Sequence, residues 1–117
     1  MSLSLPGRAA SLLTAIEAEA ALPVRDRGPV ERDGPDGPMP EIAGRKLVIA
    51  SDAATIVSRV RRGCEVLGLA PAGAERRAIE PDAICEGRWR GGAASVHLTT
   101  RCGAECTVHL QTQDVGF

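Results

Sequence analysis

The last third of the chain concentrates the residue types that bind metals, form disulfides or transfer protons. Three of the four cysteines and both histidines lie between positions 84 and 113. The spacing His97-x4-Cys102-x3-Cys106-x2-His109 offers two sulfur and two nitrogen ligands, the set found in many structural zinc sites. Whether these side chains can meet depends on the strands that carry them.

This stretch is predicted to be a three-stranded antiparallel meander over about 83–90, 93–101 and 106–113. The Gly91-Gly92 dipeptide supplies the positive backbone angles of a two-residue hairpin turn, and apolar and polar residues alternate on both sides of it. The turn pairs Trp89 with Ala94 and Cys85 with Leu98. One face then carries Cys85, Gly87, Trp89, Ala94, Val96, Leu98, Thr100 and Cys102. The other carries Glu86, Arg88, Arg90, Ser95, His97, Thr99 and Arg101.

The second turn has two chemically sensible forms. A three-residue loop over 103–105 pairs Cys102 with Cys106 and keeps Val108 and Leu110 on the apolar face. A two-residue turn beginning at Gly103 would instead place His109 there. We favour the longer loop, because an unpaired buried histidine costs more than an imperfect turn.

With this register the cysteines face the core and the histidines face outward, so they cannot share one tetrahedral zinc ion. We therefore predict no metal and no cofactor. The Cys102 and Cys106 pair is predicted to form a cross-strand disulfide, and Cys64 with Cys85 a second bridge between neighbouring strands. Four cysteines permit three pairings, and four reduced thiols are the alternative.

The outward face contains the candidate binding patch. His97 is predicted to lie diagonal to His109 and opposite Glu86, an arrangement that suits a weak metal site, a pH-sensitive patch or an acid–base pair. The arginines of the same face suit an anionic ligand. Solvated surface side chains are the alternative. No catalytic motif accompanies them, so no enzyme is predicted. The candidate residues are Glu86, Arg88, Arg90, His97, Arg101 and His109.

The remainder of the chain is predicted to position this meander. Helical periodicity covers about 6–22, a segment rich in Pro, Gly and charge follows over 23–41, and residues 45–51 form a strand. Ser51 or Asp52 caps a helix that Gly63 ends near position 62, followed by a strand over 64–70. In the alternative the helix continues through Gly63 to about 67. A further short strand is predicted over 77–80.

The fold class predicted is α+β, an antiparallel sheet of four or five strands ending in the meander and packed by one or two helices. It divides into an N-terminal helix (1–22), a linker (23–41) and an α+β domain (42–117) within one domain. Fourteen basic against 15 acidic residues argue against nucleic acid as a partner. No apolar run approaches the ~18 residues of a membrane span.

The chain resembles small secreted lipoproteins of high-GC Gram-positive bacteria. The likeness lies in the order of elements and in two stretches, RVRRGCEVLGL (59–69) and RWRGGAASVHLTTRCGAECTVHLQT (88–112). The resemblance implies an anchored extracytoplasmic domain whose lipid-bearing cysteine lies upstream of this sequence. It implies no activity and no site residues.

The leading hypothesis is therefore a non-enzymatic extracytoplasmic binding or structural domain of unknown ligand and partner, either monomer or homodimer. It depends on the even number of cysteines and on the lack of a catalytic motif. A cytosolic interaction or regulatory subunit with buried thiols is the first alternative. A small metal-binding protein that uses its surface histidines is the second.

Overall fold

The computed structural model describes residues 7–33, 41–71 and 83–115. Over these residues the chain forms two helices and one seven-stranded sheet in which every strand pair is antiparallel. The helices are α1 (Arg8–Ala20) and α2 (Ala53–Val66). The strands are β1 (Val24–Arg27), β2 (Glu31–Asp33), β3 (Glu41–Ile49), β4 (Ala70–Pro71), β5 (Ala83–Trp89), β6 (Gly92–Cys102) and β7 (Cys106–Val115).

The sheet order is β1-β3-β7-β6-β5-β4, with β2 following β1 along the same edge of β3. The α+β class and the terminal meander are confirmed. The sheet is larger than the predicted four or five strands, because three short strands extend its two edges. Two of them, β1 and β2, lie within the segment 23–41, where we predicted an irregular linker.

Backbone pairing with β3 explains why such a polar segment becomes extended. Two of its arginines form ion pairs, Arg27 of β1 with Glu17 of α1 at 3.5 Å and Arg32 of β2 with Glu41 of β3 at 3.7 Å. Composition predicts little apolar burial for this segment, and it has little. Its ladder and ion pairs are long-range contacts that composition does not reveal.

Helix α1 packs against the sheet through the predicted apolar stripe, of which Leu12, Leu13 and Ile16 are fully buried. Its N-terminus is at Gly7, and the carboxylate of Glu41 accepts a hydrogen bond from the free N–H of Ala9 at 3.2 Å. A side chain from β3 therefore satisfies a donor at the helix start. The strand expected over 77–80 lies outside the described residues.

Helix α2 begins as predicted, with the Asp52 carboxylate accepting from the Thr55 N–H at 2.7 Å. The predicted stop at Gly63 is wrong, as is the strand over 64–70. The helix continues through Gly63 to Val66 and is followed by β4. A Cβ atom at Gly63 would lie 3.2 Å from the backbone nitrogen of Ala20, so this glycine permits α1 and α2 to approach closely.

The meander has the predicted strands with one change of register. Arg90 and Gly91, with φ angles of 50° and 83°, occupy the first turn, so Trp89 pairs with Gly92 and not with Ala94. The shift is two residues on one strand, which leaves the side chains that were assigned to a face on that face, except that of Arg90, which is now in the turn. The second turn has the three-residue form, and Cys102 pairs with Cys106.

Candidate functional site

The two faces of the sheet differ in their cover. Alternate positions of β3 and β7 are buried beneath α1, among them Leu47, Val108 and Leu110. The intervening positions point the other way, and no helix of the described ranges contacts that side. We call it the outer face. Its side chains on the four longest strands include Ile42, Lys46, Val48, Glu86, Arg88, Ala93, Ser95, His97, Thr99, Arg101, Thr107, His109, Gln111 and Gln113.

Both histidines lie on the outer face, diagonal to one another as predicted. His97 is paired with Gln111 and His109 with Thr99. The Oγ atom of Ser95 lies 3.0 Å from Nε2 of His97, along the same strand.

The ring of His109 lies over β3, where a Cβ atom added at Gly44 would come within 3.0 Å of its Nε2. The absence of a side chain at Gly44 thus makes room for the imidazole. Nε2 of His97 thus lies beside a residue of its own strand, β6, whereas Nε2 of His109 lies over β3.

Beside His109 the outer face contains a shallow pocket of about 180 Å³. Strands β2, β3 and β7 all contribute to its lining. A pocket of this size accommodates one group of a ligand, since whole drug-sized ligands occupy roughly 300–1,000 Å³. The lining residues are Glu31, Arg32, Ile42, Gly44, His109 and Gln111.

Sequence reasoning found only His109 among these lining residues. Glu31 and Arg32 were assigned to the linker, so their approach to β7 was not foreseen. Gly44 is the signal that could have found the pocket, because an isolated glycine inside a strand often marks a close approach of another group.

Two members of the predicted patch stand elsewhere than expected. Glu86 is paired with Ser95 and not with His97, a consequence of the shifted register. Arg90 is in the turn, where its guanidinium lies 4.3 Å from the centre of the Trp89 ring. The positive φ angle of Arg90 removes its side chain from the strand alternation, so it does not belong to the outer face.

The other two arginines of the patch are exposed on the outer face. Arg88 donates to the carbonyl of Gly91 at 3.3 Å, and Arg101 lies beside Thr107 near the end of the sheet. Together with His97 and Glu86 they lie on β6 and β5, on one side of the pocket and one or two strands from β7, so the patch is a surface and not a single centre.

Both predicted disulfides are present. Cys64 on α2 is bonded to Cys85 on β5, and both residues are 1% exposed. Cys102 is bonded to Cys106 across the second turn. All four sulfurs are therefore used, and none remains as a thiolate for the His97-to-His109 zinc arrangement.

The surroundings of two cysteines differ from the prediction. Cys64 belongs to a helix and not to a neighbouring strand, because α2 extends past Gly63. Cys102 is exposed although its alternation places it on the inner face, whereas its partner Cys106 is 2% exposed. The pair lies at the end of the β6–β7 ladder.

The inner face contains a partly buried charged contact that sequence reasoning missed. Arg8 donates to the Asp114 carboxylate at 2.9 Å and to the carbonyls of Trp89 and Arg90 at 2.8 and 2.9 Å. It joins the start of α1 to β7 and to the first turn of the meander. These contacts are structural, since they lie on the face opposite the pocket.

A larger open groove, of about 1080 Å³, follows the exposed side of α2. Its described lining is one helix face, on which Val66 is 61% exposed. We favour the smaller pocket as the candidate site, because three strands line it and two of them, β2 and β7, supply polar side chains. The groove lining is Ala53, Ala54, Val57, Ser58, Arg61, Arg62, Glu65 and Val66.

Across the described residues, neither helix is long and apolar enough to cross a membrane. In comparisons with known proteins, no protein-family model, curated protein or solved structure matches the chain.

Proposed function

We propose that this protein is a non-enzymatic extracytoplasmic binding domain that recognises its ligand on the outer face of the sheet. The observation that carries the proposal is the pairing of all four cysteines in two disulfides. Disulfides persist in oxidising compartments and are reduced in the cytosol, where such bonds are rare. The resemblance to secreted lipoproteins agrees with this location and adds a lipid anchor upstream of the sequence.

The outer face supports binding because it combines an open polar surface with one recess. Antiparallel sheets commonly leave one face solvated, so exposure alone carries no function. The pocket at Gly44 departs from a plain solvated face. Gly44 is buried and the His109 ring lies over it, and an imidazole, a carboxylate and an amide line the pocket.

The same face argues against catalysis. The Ser95 and His97 contact resembles a nucleophile with its base, and such pairs also require donors for the developing oxyanion. Both residues lie in β6, an interior strand whose backbone N–H groups pair with β5 and β7. The main-chain N–H groups of β6 are therefore occupied by strand pairing and do not serve as oxyanion donors. Covalent labelling of Ser95 by a fluorophosphonate probe would refute the non-enzymatic part of the proposal.

The compartment is tested by counting thiols. Protein isolated from its native cells with alkylating agent present is denatured without reductant, and its free thiols are quantified. We expect none. Four free thiols per chain would reject the extracytoplasmic location, and full-length protein that partitions into the aqueous phase of a detergent extraction would reject the anchor.

The binding surface is tested by NMR with defined probes. Amide spectra are recorded while inorganic phosphate, citrate, chitotriose or zinc is added separately. We expect at least one probe to shift the amides of 42–46 and 107–113, and Gly44→Val, which fills the recess, to abolish the shifts. Ser58→Ala on the exposed side of α2 is the matched control. Shifts that survive Gly44→Val, or that lie along α2, would reject the outer face as the site.

A further inference from the structure

The two disulfides stand in opposite surroundings. Cys64 of α2 and Cys85 of β5 are both buried. Cys102 is exposed while Cys106 is buried. Thiol–disulfide exchange requires an external thiolate to reach a sulfur, so access distinguishes the two bonds strongly. We propose that the Cys102–Cys106 bond is a thiol–disulfide exchange site for dithiols, with Sγ of Cys102 as the atom attacked. This activity goes beyond ligand binding on the outer face.

Local charge favours approach at Cys102. The only carboxylate of the connecting loop, that of Glu105, forms a salt bridge with Arg25 of β1. Arg101 precedes Cys102 and is exposed. An incoming thiolate therefore meets a neutralised carboxylate and a cation instead of a free negative charge.

The fold tolerates opening of this bond. Only residues 103–105 lie between the two cysteines, and the β6–β7 ladder continues from the Arg101 and Thr107 pair to the far end of both strands. Cys106 is also held by pairing with Ile49 of β3. A bond that closes so short a loop restricts the unfolded chain less than one that closes the longer loop between Cys64 and Cys85. Reduction thus releases the turn and leaves the sheet in place.

The exchange balances as a two-electron reaction. A thiolate of the dithiol attacks Sγ of Cys102, the bond to Cys106 breaks, and its electron pair leaves on Sγ of Cys106, which takes a proton from water. The second thiolate of the dithiol then attacks the reductant sulfur joined to Cys102. It forms the disulfide of the reductant and releases Cys102, which is protonated in turn. The dithiol is oxidised and the protein gains two electrons and two protons.

Selective reduction tests the proposal on the wild-type chain. The folded protein is equilibrated with a dithiothreitol series, free thiols are trapped with iodoacetamide, and each cysteine is mapped by mass spectrometry. We expect half-reduction of Cys102–Cys106 at a dithiothreitol concentration at least ~10-fold below that for Cys64–Cys85, with the circular dichroism spectrum unchanged. Joint opening, earlier opening of Cys64–Cys85, or unfolding when Cys102–Cys106 opens would overturn the proposal.

A matched pair of variants tests which sulfur is attacked. Cys106→Ser leaves the exposed thiol and Cys102→Ser leaves the buried one, each with Cys64–Cys85 intact by mass mapping. We expect Cys106→Ser to react with Ellman's reagent at least ~10-fold faster than Cys102→Ser. Equal or reversed rates would reject Cys102 as the site of attack. If either variant fails to fold, the wild-type reduction series decides.

Discussion

Replacement of Arg8 by alanine is expected to destabilise the protein more than any surface arginine substitution. The guanidinium contacts the Asp114 carboxylate at 2.9 Å, and the side chain of Asp114 is fully buried. The second carboxylate oxygen, Oδ2, is buried without a hydrogen-bond partner among the described residues. Arg8→Ala therefore leaves a buried charge with no cationic partner.

The magnitude follows from the burial of each member. Removal of one partner of a fully buried ion pair costs about 3–5 kcal/mol. The side chain of Arg8 is 39% exposed, so water enters the vacated space and offsets part of this cost. Loss of the two hydrogen bonds to the Trp89 and Arg90 carbonyls adds to it. We expect Arg8→Ala to lower the free energy of unfolding by about 2–3 kcal/mol.

A double-mutant cycle separates the charge contact from the carbonyl contacts. Asp114→Asn preserves volume and removes the charge, so Arg8→Ala should cost less in that background, with a coupling of about 1–2 kcal/mol. Urea denaturation is followed by circular dichroism and by the fluorescence of Trp89, the single tryptophan. Arg88→Ala, on the outer face, is the control and should change stability by less than about 0.5 kcal/mol. Additive single effects, or an Arg8→Ala effect as small as that control, would refute the reasoning.

Two further predictions concern the helices. Gly63→Val should lower the free energy of unfolding, measured by urea denaturation, by about 2–3 kcal/mol, because the new side chain would meet the backbone of Ala20, which a rotamer change cannot relieve. Gly103→Ala is the control: its methyl group meets open space, so it should be neutral or stabilising by up to about 1 kcal/mol. Equal effects of the two substitutions would contradict this. Hydrogen bonds from the backbone N–H and then the hydroxyl of Thr55 hold the pKa of Asp52 below its ordinary value of 3.8. The ionised cap therefore stabilises the folded protein fully above pH 3.8, and this stabilisation is lost as pH falls through the folded-state pKa. We expect Asp52→Asn to be less stable than wild type at pH 7, and the difference in unfolding free energy to shrink below pH 3.8. A difference that stays constant with pH would exclude the charge as its cause.

The parts of the fold that the sequence predicts are those whose signal is local. Period-2 alternation defined the meander, and the second turn was resolved by asking which form avoids burial of His109. The same rule set the faces correctly despite the wrong first turn, because a two-residue shift preserves alternation. The Gly91-Gly92 dipeptide indicated the wrong pair of turn residues, because the turn consists of Arg90 and Gly91, and an arginine rarely adopts a positive φ angle.

The failures concern residues whose partners are distant in the chain. Gly63 has two physical roles available, a left-handed helix stop or a point of close helix approach, and only the position of Ala20 on α1 decides between them. Gly68, with a φ angle of 84°, fills the first role five residues later. Strand β2 exists because β3 offers an edge to pair with. No feature of residues 31–33 alone indicates that edge.

The outer-face pocket shows how such distant contacts limit the prediction of a site. Its histidine was found from alternation, which fixes the face on which a side chain lies. Alternation does not say which neighbour a ring leans over, and His109 leans over Gly44, on the strand that precedes α2. The pocket exists only where β7, β3 and β2 meet, so its lining changes if any one of these pairings is lost. A substitution that removes β2 from the edge of β3 should therefore open the pocket while leaving the meander intact, and binding measured with such a variant separates the contribution of the recess from that of the surrounding polar surface.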